Sequence, residues 1–312
     1  MVRPPHSTAR YLVTRLAQTV FILWAVASIA FFLTLLSGDP ATLMIGEHWT
    51  AEQVAAFREY MGFDRPLLVQ YVEYLGRIVQ GDFGVSVRQQ VPVTQLILER
   101  FPATLQLTLA ALAIILVVAI PTGVLSAVNR GSWPDRMAMG GALLAQSVPT
   151  FWLGILLILV FGVQLRWFPV SGTGSPAHLI LPAVTLATFS TARIARLVRS
   201  SMLDVLSQDY IRTAHAKGLS PRTVHYRHAL RNALIPVVTL LGIEFGSLLG
   251  GALVTETVFA YPGIGRLTIQ AIQARDLPLV QGVITFGAML FVVANLLVDL
   301  SYSWLDPRIR NA

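Results

Sequence analysis

The chain has no cysteine. Disulfides, thiolate metal sites and a Cys nucleophile are thereby excluded. Charge is also scarce. Only 12% of the 312 residues are Asp, Glu, Lys or Arg, where a soluble domain carries about 25%. Such a chain could not cover a water-facing surface, which points to an integral membrane protein. There is one lysine, Lys217, and Gly218 follows it. A P-loop needs a lysine followed by Ser or Thr, so no nucleotide cradle of that kind is possible. The six histidines fall outside the centres of the apolar runs. No His-x-x-x-His or His-Glu-x-x-His pair occurs, and no Gly-x-Ser-x-Gly elbow. An intramembrane protease or metalloenzyme therefore lacks its chemistry.

Long charge-free runs are present instead. They lie between Arg15 and Asp39, Arg100 and Arg130, Arg136 and Arg166, Arg166 and Arg193, and Asp276 and Asp299. Between Arg231 and Glu256 the only charge is Glu244. Each run holds the roughly 20 apolar residues that a helix needs to cross about 30 Å of hydrocarbon. Six spans are predicted, near 12–36, 103–127, 139–163, 179–199, 233–255 and 280–303. All should be helical, because an isolated segment in lipid satisfies its backbone only as a helix. The first resembles a signal peptide, with a basic leader of Arg3, Arg10 and Arg15. Its apolar run continues to Leu36, beyond a signal h-region, so we read an uncleaved span.

Net charge is +7, and its placement sets the orientation. With the N-terminus inside, the inner segments hold 15 basic and four acidic residues, and the outer ones 8 basic and 10 acidic. Both termini are then expected on the cytoplasmic side. The basic excess reports topology rather than nucleic-acid binding. The first region is thus residues 1–36, a cytoplasmic N-terminus and first span. Residues 37–102 form an external helical insertion. Residues 103–312 form a five-span core with a cytoplasmic loop at 200–232. In the insertion, Thr50 with Gln53 reads as a capping box. A second helix is expected from Pro66 through Leu75, and Gly81-Asp82-Phe83-Gly84 reads as a turn.

The cytoplasmic loop is the most informative stretch. Good helix formers run from Asp204 to Gly218, which suits a left-handed stop. Ser220-Pro221 then restarts a helix, Ser as N-cap and Pro at its first position. Two short helices bent at Gly218-Leu219 are expected. Val205, Tyr210, Ala214 and Ala216 would leave a small-residue surface beside Arg212 and Lys217, suited to a groove on another protein. The pattern also fits a basic helix on anionic lipid or a plain inner loop. A DNA-binding helix-turn-helix would press its DNA against the bilayer.

The residues are more specific than the pattern. Arg212-Thr213-Ala214-His215-Ala216-Lys217-Gly218-Leu219-Ser220 resembles the coupling-loop ("EAA") motif of ABC importer permeases, and in particular the dipeptide/oligopeptide/nickel branch. Gly38-Asp39-Pro40, Pro66-Leu67-Leu68-Val69-Gln70-Tyr71, Gly81-Asp82-Phe83-Gly84 and Arg100-Phe101-Pro102-Ala103-Thr104-Leu105 are similar to that branch. So are the stretch Arg227 to Pro236, Glu256-Thr257-Val258-Phe259, and the tail from Asn295 to Arg310. The resemblance covers essentially the whole chain in order. The Glu-Ala-Ala opening of the wider superfamily is Arg212-Thr213-Ala214 here, and the late Leu-Pro position carries Leu230-Arg231. His215 stands where the branch often has Arg.

The resemblance implies an all-α polytopic membrane protein with the type I, MetI-like permease fold, in the cytoplasmic (inner) membrane. It implies a transport subunit rather than an enzyme. This chain would bind no cofactor, since ATP and Mg belong to separate ATPase subunits. Implied partners are a homologous second permease, two cytoplasmic ABC ATPases, an external solute-binding protein and membrane lipid, with no nucleic acid. The ATPase-coupling residues would be Asp209, Tyr210, Arg212, Thr213, Ala214, His215, Ala216, Lys217, Gly218 and Leu219. The branch handles dipeptides, oligopeptides, glutathione-like peptides and nickel complexes. No metal-ligand cluster is visible, so peptides are favoured. The alternative is an ion-coupled secondary transporter or channel, which would be expected to carry more intramembrane charge and often inverted repeats.

Two acids sit inside spans. A charge at mid-membrane costs about 2.5–3.5 kcal/mol on insertion scales. Glu244 should therefore face protein or water, either lining the pathway or hydrogen-bonded at a helix interface. Asp299, nearer a span end, reads as structural, paired with an Arg or reaching the interface. Gly242, Gly246 and Gly250 show the small-xxx-small spacing of close helix contact. Pro121, Pro149, Pro182 and Pro236 read as tolerated kinks. Ser147, Thr150, Ser190, Thr191 and Thr255 either line a polar path or bond to their own helix backbone.

Overall fold

The computed structural model describes residues 8–36, 39–45 and 49–305. The helices in chain order are α1 (Thr8–Leu36), α2 (Pro40–Ile45), α3 (Ala51–Met61), α4 (Leu67–Val79), α5 (Val93–Val128), α6 (Trp133–Ser147) and α7 (Thr150–Leu157). A π-helical stretch, Ile158–Gln164, continues α7. Then come α8 (Ala177–Leu206), α9 (Asp209–Ala216), a second π-helical stretch Thr223–Ala229, α10 (Leu230–Val258), α11 (Ile264–Gln273) and α12 (Leu277–Leu305). Among the described residues five helices are long and apolar enough to cross a membrane, or six when α6 and α7 with its π extension count as one span.

That pair corrects the expectation of a continuous third span over 139–163. It bends by 105° between Ser147 and Thr150. Pro149 has no N–H to donate, and its ring pushes the preceding residue out of the helical region. Val148 is accordingly extended (φ −86°, ψ 125°). Pro182 and Pro236, in contrast, stay inside α8 and α10.

The chain divides into two compact units, residues 1–104 with 262–312, and residues 105–261. The first boundary falls near the end of the 37–102 segment, but α11 and α12 join the N-terminal unit rather than the remaining spans. In this unit Val93, Leu96 and Ile97 of α5 pack with Ile264 and Leu267 of α11 and Leu279 and Val283 of α12. Phe286 stands edge-on to Phe83 and Phe101. Thr50 caps α3 as a full capping box. Its Oγ1 accepts the Gln53 N–H at 3.4 Å, and Gln53 Oε1 accepts the Thr50 N–H at 2.9 Å. The second short helix runs to Val79, four residues past the expected end. Tyr74 on it is buried against Ala27 and Phe31 of α1. Burial holds its phenol above the ordinary range, partly offset by a hydrogen bond with Thr285. The turn at 81–84 forms as expected: Gly81 and Gly84 have positive φ, and Gly84 N–H donates to Asp82 Oδ1 at 2.8 Å.

Asp276, buried between α11 and α12, is a hub that the charge map alone does not reveal. It accepts from Ser86 Oγ at 2.5 Å and from the N–H groups of Val87, Arg88 and Leu279 at 3.3 Å. One carboxylate thus fixes the 85–92 segment and starts α12.

In the second unit α8 is the central helix. It buries Leu181, Ala187, Ile194, Val198 and Met202, among others. Gly123 of α5 allows the closest approach. A Cβ there would lie 2.6 Å from Val198 Cβ and 2.7 Å from the Ala195 carbonyl oxygen. Backbone cannot step aside cheaply. Gly123→Val is therefore expected to cost at least about 1–3 kcal/mol by overpacking, read as a lowered thermal midpoint in detergent. A midpoint equal to the parent's would show that α5 and α8 do not pack this closely. The expected Gly242-Gly246-Gly250 contact is only partly present. Gly246 is buried, but Gly250 is exposed and a Cβ on it would meet nothing within 4 Å.

Candidate functional site

The loop after α8 builds a rigid, solvent-facing finger. α8 runs on to Leu206, beyond its apolar part, and breaks at Ser207-Gln208. α9 then starts at Asp209, whose carboxylate in the first turn suits the positive end of the helix. Gly218 stops α9 with φ +75°. The Gly218 N–H donates to the His215 carbonyl at 2.9 Å, and the Leu219 N–H to the Ala214 carbonyl at 3.4 Å. These two bonds make the Schellman arrangement. Ser220 Oγ then accepts the Thr223 N–H at 3.4 Å and caps the next helix. The bend at Gly218-Leu219 thus follows from one glycine and one serine, as the sequence implies. That next helix is π-helical over Thr223–Ala229 before it becomes α10, which the sequence does not announce.

The inward face of α9 is Ile211 and Ala214, packed in the same buried layer as Val224 and Ala229. Ala214, expected on the docking surface, is buried within this chain instead of exposed. The other residues expected to couple, Asp209, Tyr210, Arg212, Thr213, His215, Ala216, Lys217, Gly218 and Leu219, are all exposed. Arg212 and Asp209 face each other at 3.7 Å with side chains 85% and 96% exposed. An ion pair so wet contributes little, so both groups remain available. Tyr210 is better fixed. Its OH accepts from Asn232 Nδ2 at 2.8 Å, and the same amide donates to the His228 carbonyl at 3.3 Å. Asn232 and Ile211, absent from the expected set, thus hold the finger against the start of α10. Ile211 was legible as the apolar residue between Tyr210 and Arg212. Asn232 had no local signal.

Glu244 is buried in the second unit. Ser190 Oγ of α8 donates to its Oε2 at 2.5 Å, and Arg193 to its Oε1 at 3.0 Å. Arg193 keeps half of its side chain exposed. The acid therefore ties α10 to α8 at the edge of an accessible region. Asp299 lies on α12 beyond the residues whose side chains are described, and Arg3, Gly38 and the tail from Asp306 also fall outside the described residues. Ser147 bonds to its own helix at the Leu143 carbonyl, whereas Ser190 reaches across to Glu244. The hydroxyls of Thr191 and Thr255 are buried without a partner among the described residues.

A second charged centre was not anticipated. Asp135, in the first turn of α6, is buried and accepts from Arg199 Nε at 2.7 Å and Arg199 Nη2 at 2.8 Å. It also accepts from Ser126 Oγ of α5 and, at 2.9 Å, from the Gly131 N–H. Three helices, α5, α6 and α8, meet at one carboxylate, and α8 is the helix that leads into the finger.

Comparison with known proteins agrees with this architecture. Residues 119–311 match the family model of the binding-protein-dependent transport system inner membrane component, and residues 8–108 match the N-terminal model of the same transport system membrane component. The chain is 43% identical over 301 residues to the glutathione transport system permease protein GsiC of Escherichia coli, covering 96% of this chain and 98% of the relative. The GsiC of Salmonella paratyphi A is also 43% identical over the same shares. Among solved structures, the MetNI methionine ABC transporter in an inward-facing conformation is similar in fold, with TM-score 0.59 at 20% identity, over 68% of this chain and 97% of that one. An amino acid ABC transporter with histidines gives TM-score 0.51 at 18% identity, over 66% and 92%. The chain belongs to the binding-protein-dependent transport system inner membrane component family, as a multi-pass inner-membrane permease subunit of an ABC importer and not an enzyme.

Proposed function

We propose that this permease moves short peptides of glutathione size inward, by alternating access driven by separate ATPase subunits. The carrying observation is the finger at 209–219. It is exposed on its outer side, stopped by a Schellman glycine and anchored through Ile211 and the Tyr210–Asn232 bond. A helix held so firmly transmits a push from a docked partner instead of deflecting. Two cytoplasmic ATPases would engage this loop and its counterpart on a homologous second permease. Both termini then lie in the cytoplasm, the 37–102 segment lies outside, and a solute-binding protein delivers cargo there. The substrate class rests on the 43% identical glutathione permeases. Glu244, already satisfied by Ser190 and Arg193, is poised at the pathway edge rather than free to carry an ion.

The test starts with a pull-down of tagged protein from its native membrane in mild detergent, followed by mass spectrometry. A second permease, P-loop ATPases and a binding protein are expected. The recovered complex in vesicles should then take up labelled glutathione or small peptides only with ATP. Uptake by this chain alone under an ion gradient would overturn the reading.

A further inference from the structure

The N-terminal unit carries an amphipathic cavity lined by none of the side chains invoked in the proposed function. Where α1 ends and α12 begins, a chamber of about 470 Å³ opens among α1, α3, α4 and the 82–90 segment. That size lies within the range of ordinary small-molecule sites. Its wall combines rings such as Tyr60 with Gln70, Arg77 and Gln90. An apolar groove of about 350 Å³ runs along α1 and α12, lined by Val26, Ile29, Leu33 and Ile284. Chamber and groove share Thr34, Leu277 and Gln281. At that junction Gln281 Nε2 donates to Thr34 Oγ1 at 2.8 Å. The groove residues belong to the apolar parts of two membrane-spanning helices, so their solvent is hydrocarbon. The chamber is lined by the last residues of the apolar stretch of α1 and the first of α12, the ends at which a span meets the headgroup layer.

The charges in the chamber narrow the occupant. Glu73 is paired with Arg65 at 2.7 Å. Asp82 accepts only a turn N–H among the described residues. Arg77, one turn after Glu73 on α4, lines the chamber and has no ion-pair partner among the described residues. We propose that chamber and groove together hold one zwitterionic phospholipid of the phosphatidylethanolamine type. Arg77 takes the phosphate, since a guanidinium fork matches phosphate oxygens. Asp82 and Glu73 accept from the primary ammonium, and one acyl chain occupies the groove. A glycerol headgroup has the same phosphate but no cation to set against the two carboxylates. A choline headgroup has no N–H to offer them. A helix from another subunit would fill the groove but leave Arg77 unmet.

The experiment is native mass spectrometry of the full chain with its co-purified partners, released from nanodiscs containing phosphatidylethanolamine, phosphatidylglycerol or phosphatidylcholine. One phosphatidylethanolamine per chain is expected to survive release, in preference to the other two. Arg77→Glu should lower that adduct about tenfold, as loss of one charge-assisted contact implies, and Leu33→Trp, which blocks the groove, should separately lower it as well. Arg77→Gln serves if the charge reversal broadens the size-exclusion profile. Equal retention of phosphatidylglycerol, or an adduct unchanged in both variants, would overturn the proposal. So would cross-linking from Ile29→Cys into a helix of a neighbouring subunit.

Discussion

Gly218→Val is expected to reduce ATP-driven uptake about tenfold or more while leaving the protein in the membrane at parental amounts. The residue sits at φ +75°, where a β-branched side chain is a genuine outlier, at a cost of roughly 1–2 kcal/mol or more. A factor of ten corresponds to about 1.4 kcal/mol, so the strain alone is of the right size. A Cβ at Gly218 would meet nothing within 4 Å, so the first added carbon has room. The defect is then expected to come from the backbone. To relieve φ, the chain must give up the Gly218 and Leu219 hydrogen bonds that end α9. The finger then frays at the end that Lys217 and Leu219 present. Insertion should survive because the position lies outside the apolar spans. The mechanism dictates a series: Asn, which tolerates the left-handed region, close to the parent, Ala intermediate and Val worst. ATPase co-purification and vesicle uptake should fall together along it. Parental uptake in the Val variant would remove residues 209–219 from the coupling role.

Gly218 was readable because its signal is local. Helix formers stop at it, and a serine and a proline follow within three residues. The capping box at Thr50 and Gln53 was readable for the same reason. The spans were readable because exclusion of charge from hydrocarbon acts on every residue in the run. What escaped depends on partners far along the chain. Asp135 and Arg199 are 64 residues apart, and Ser86 and Asp276 are 190 apart. Each looked like an ordinary loop charge or polar residue. The glycine spacing was only part of the signal. Gly242, Gly246 and Gly250 have the right period, but a period does not name a neighbour. The lone Gly123 makes the tight contact with α8 instead. Of the four span prolines, Pro149 alone bends its segment sharply enough to break it among the described residues. Proline chemistry is the same at each, and the packing around it decides whether the helix continues.

Asp135→Asn should be among the most damaging single substitutions in the chain, although it changes one atom. The carboxylate accepts two bonds from the Arg199 fork, one from Ser126 and one from the Gly131 N–H. All four partners are donors. An amide in its place turns one acceptor oxygen into a donor, which must then face the guanidinium in either orientation, at Nε beside Ser126 or at Nη2 beside the Gly131 N–H. Arg199, with 26% of its side chain exposed, is left without its counter-charge. Breaking a buried pair in this way costs about 3–5 kcal/mol, and α5, α6 and α8 all meet at the site. The expected result is a large drop in thermal midpoint in detergent and a lower yield of monodisperse protein. Arg199→Lys should do part of the same damage, because it keeps the charge and loses the fork. The cause can be separated from a general intolerance by a double-mutant cycle. Asp135→Leu with Arg199→Met removes both charges, so its cost should be well below the sum of the two single changes. Additive costs would mean that the two residues do not hold each other. If the coupling is large, uptake in the double variant becomes informative. Uptake restored along with stability would make the pair a structural tie. Lost uptake in a stable double variant would show that the tie between α6 and α8 also serves transport, as the proposed coupling through α9 requires.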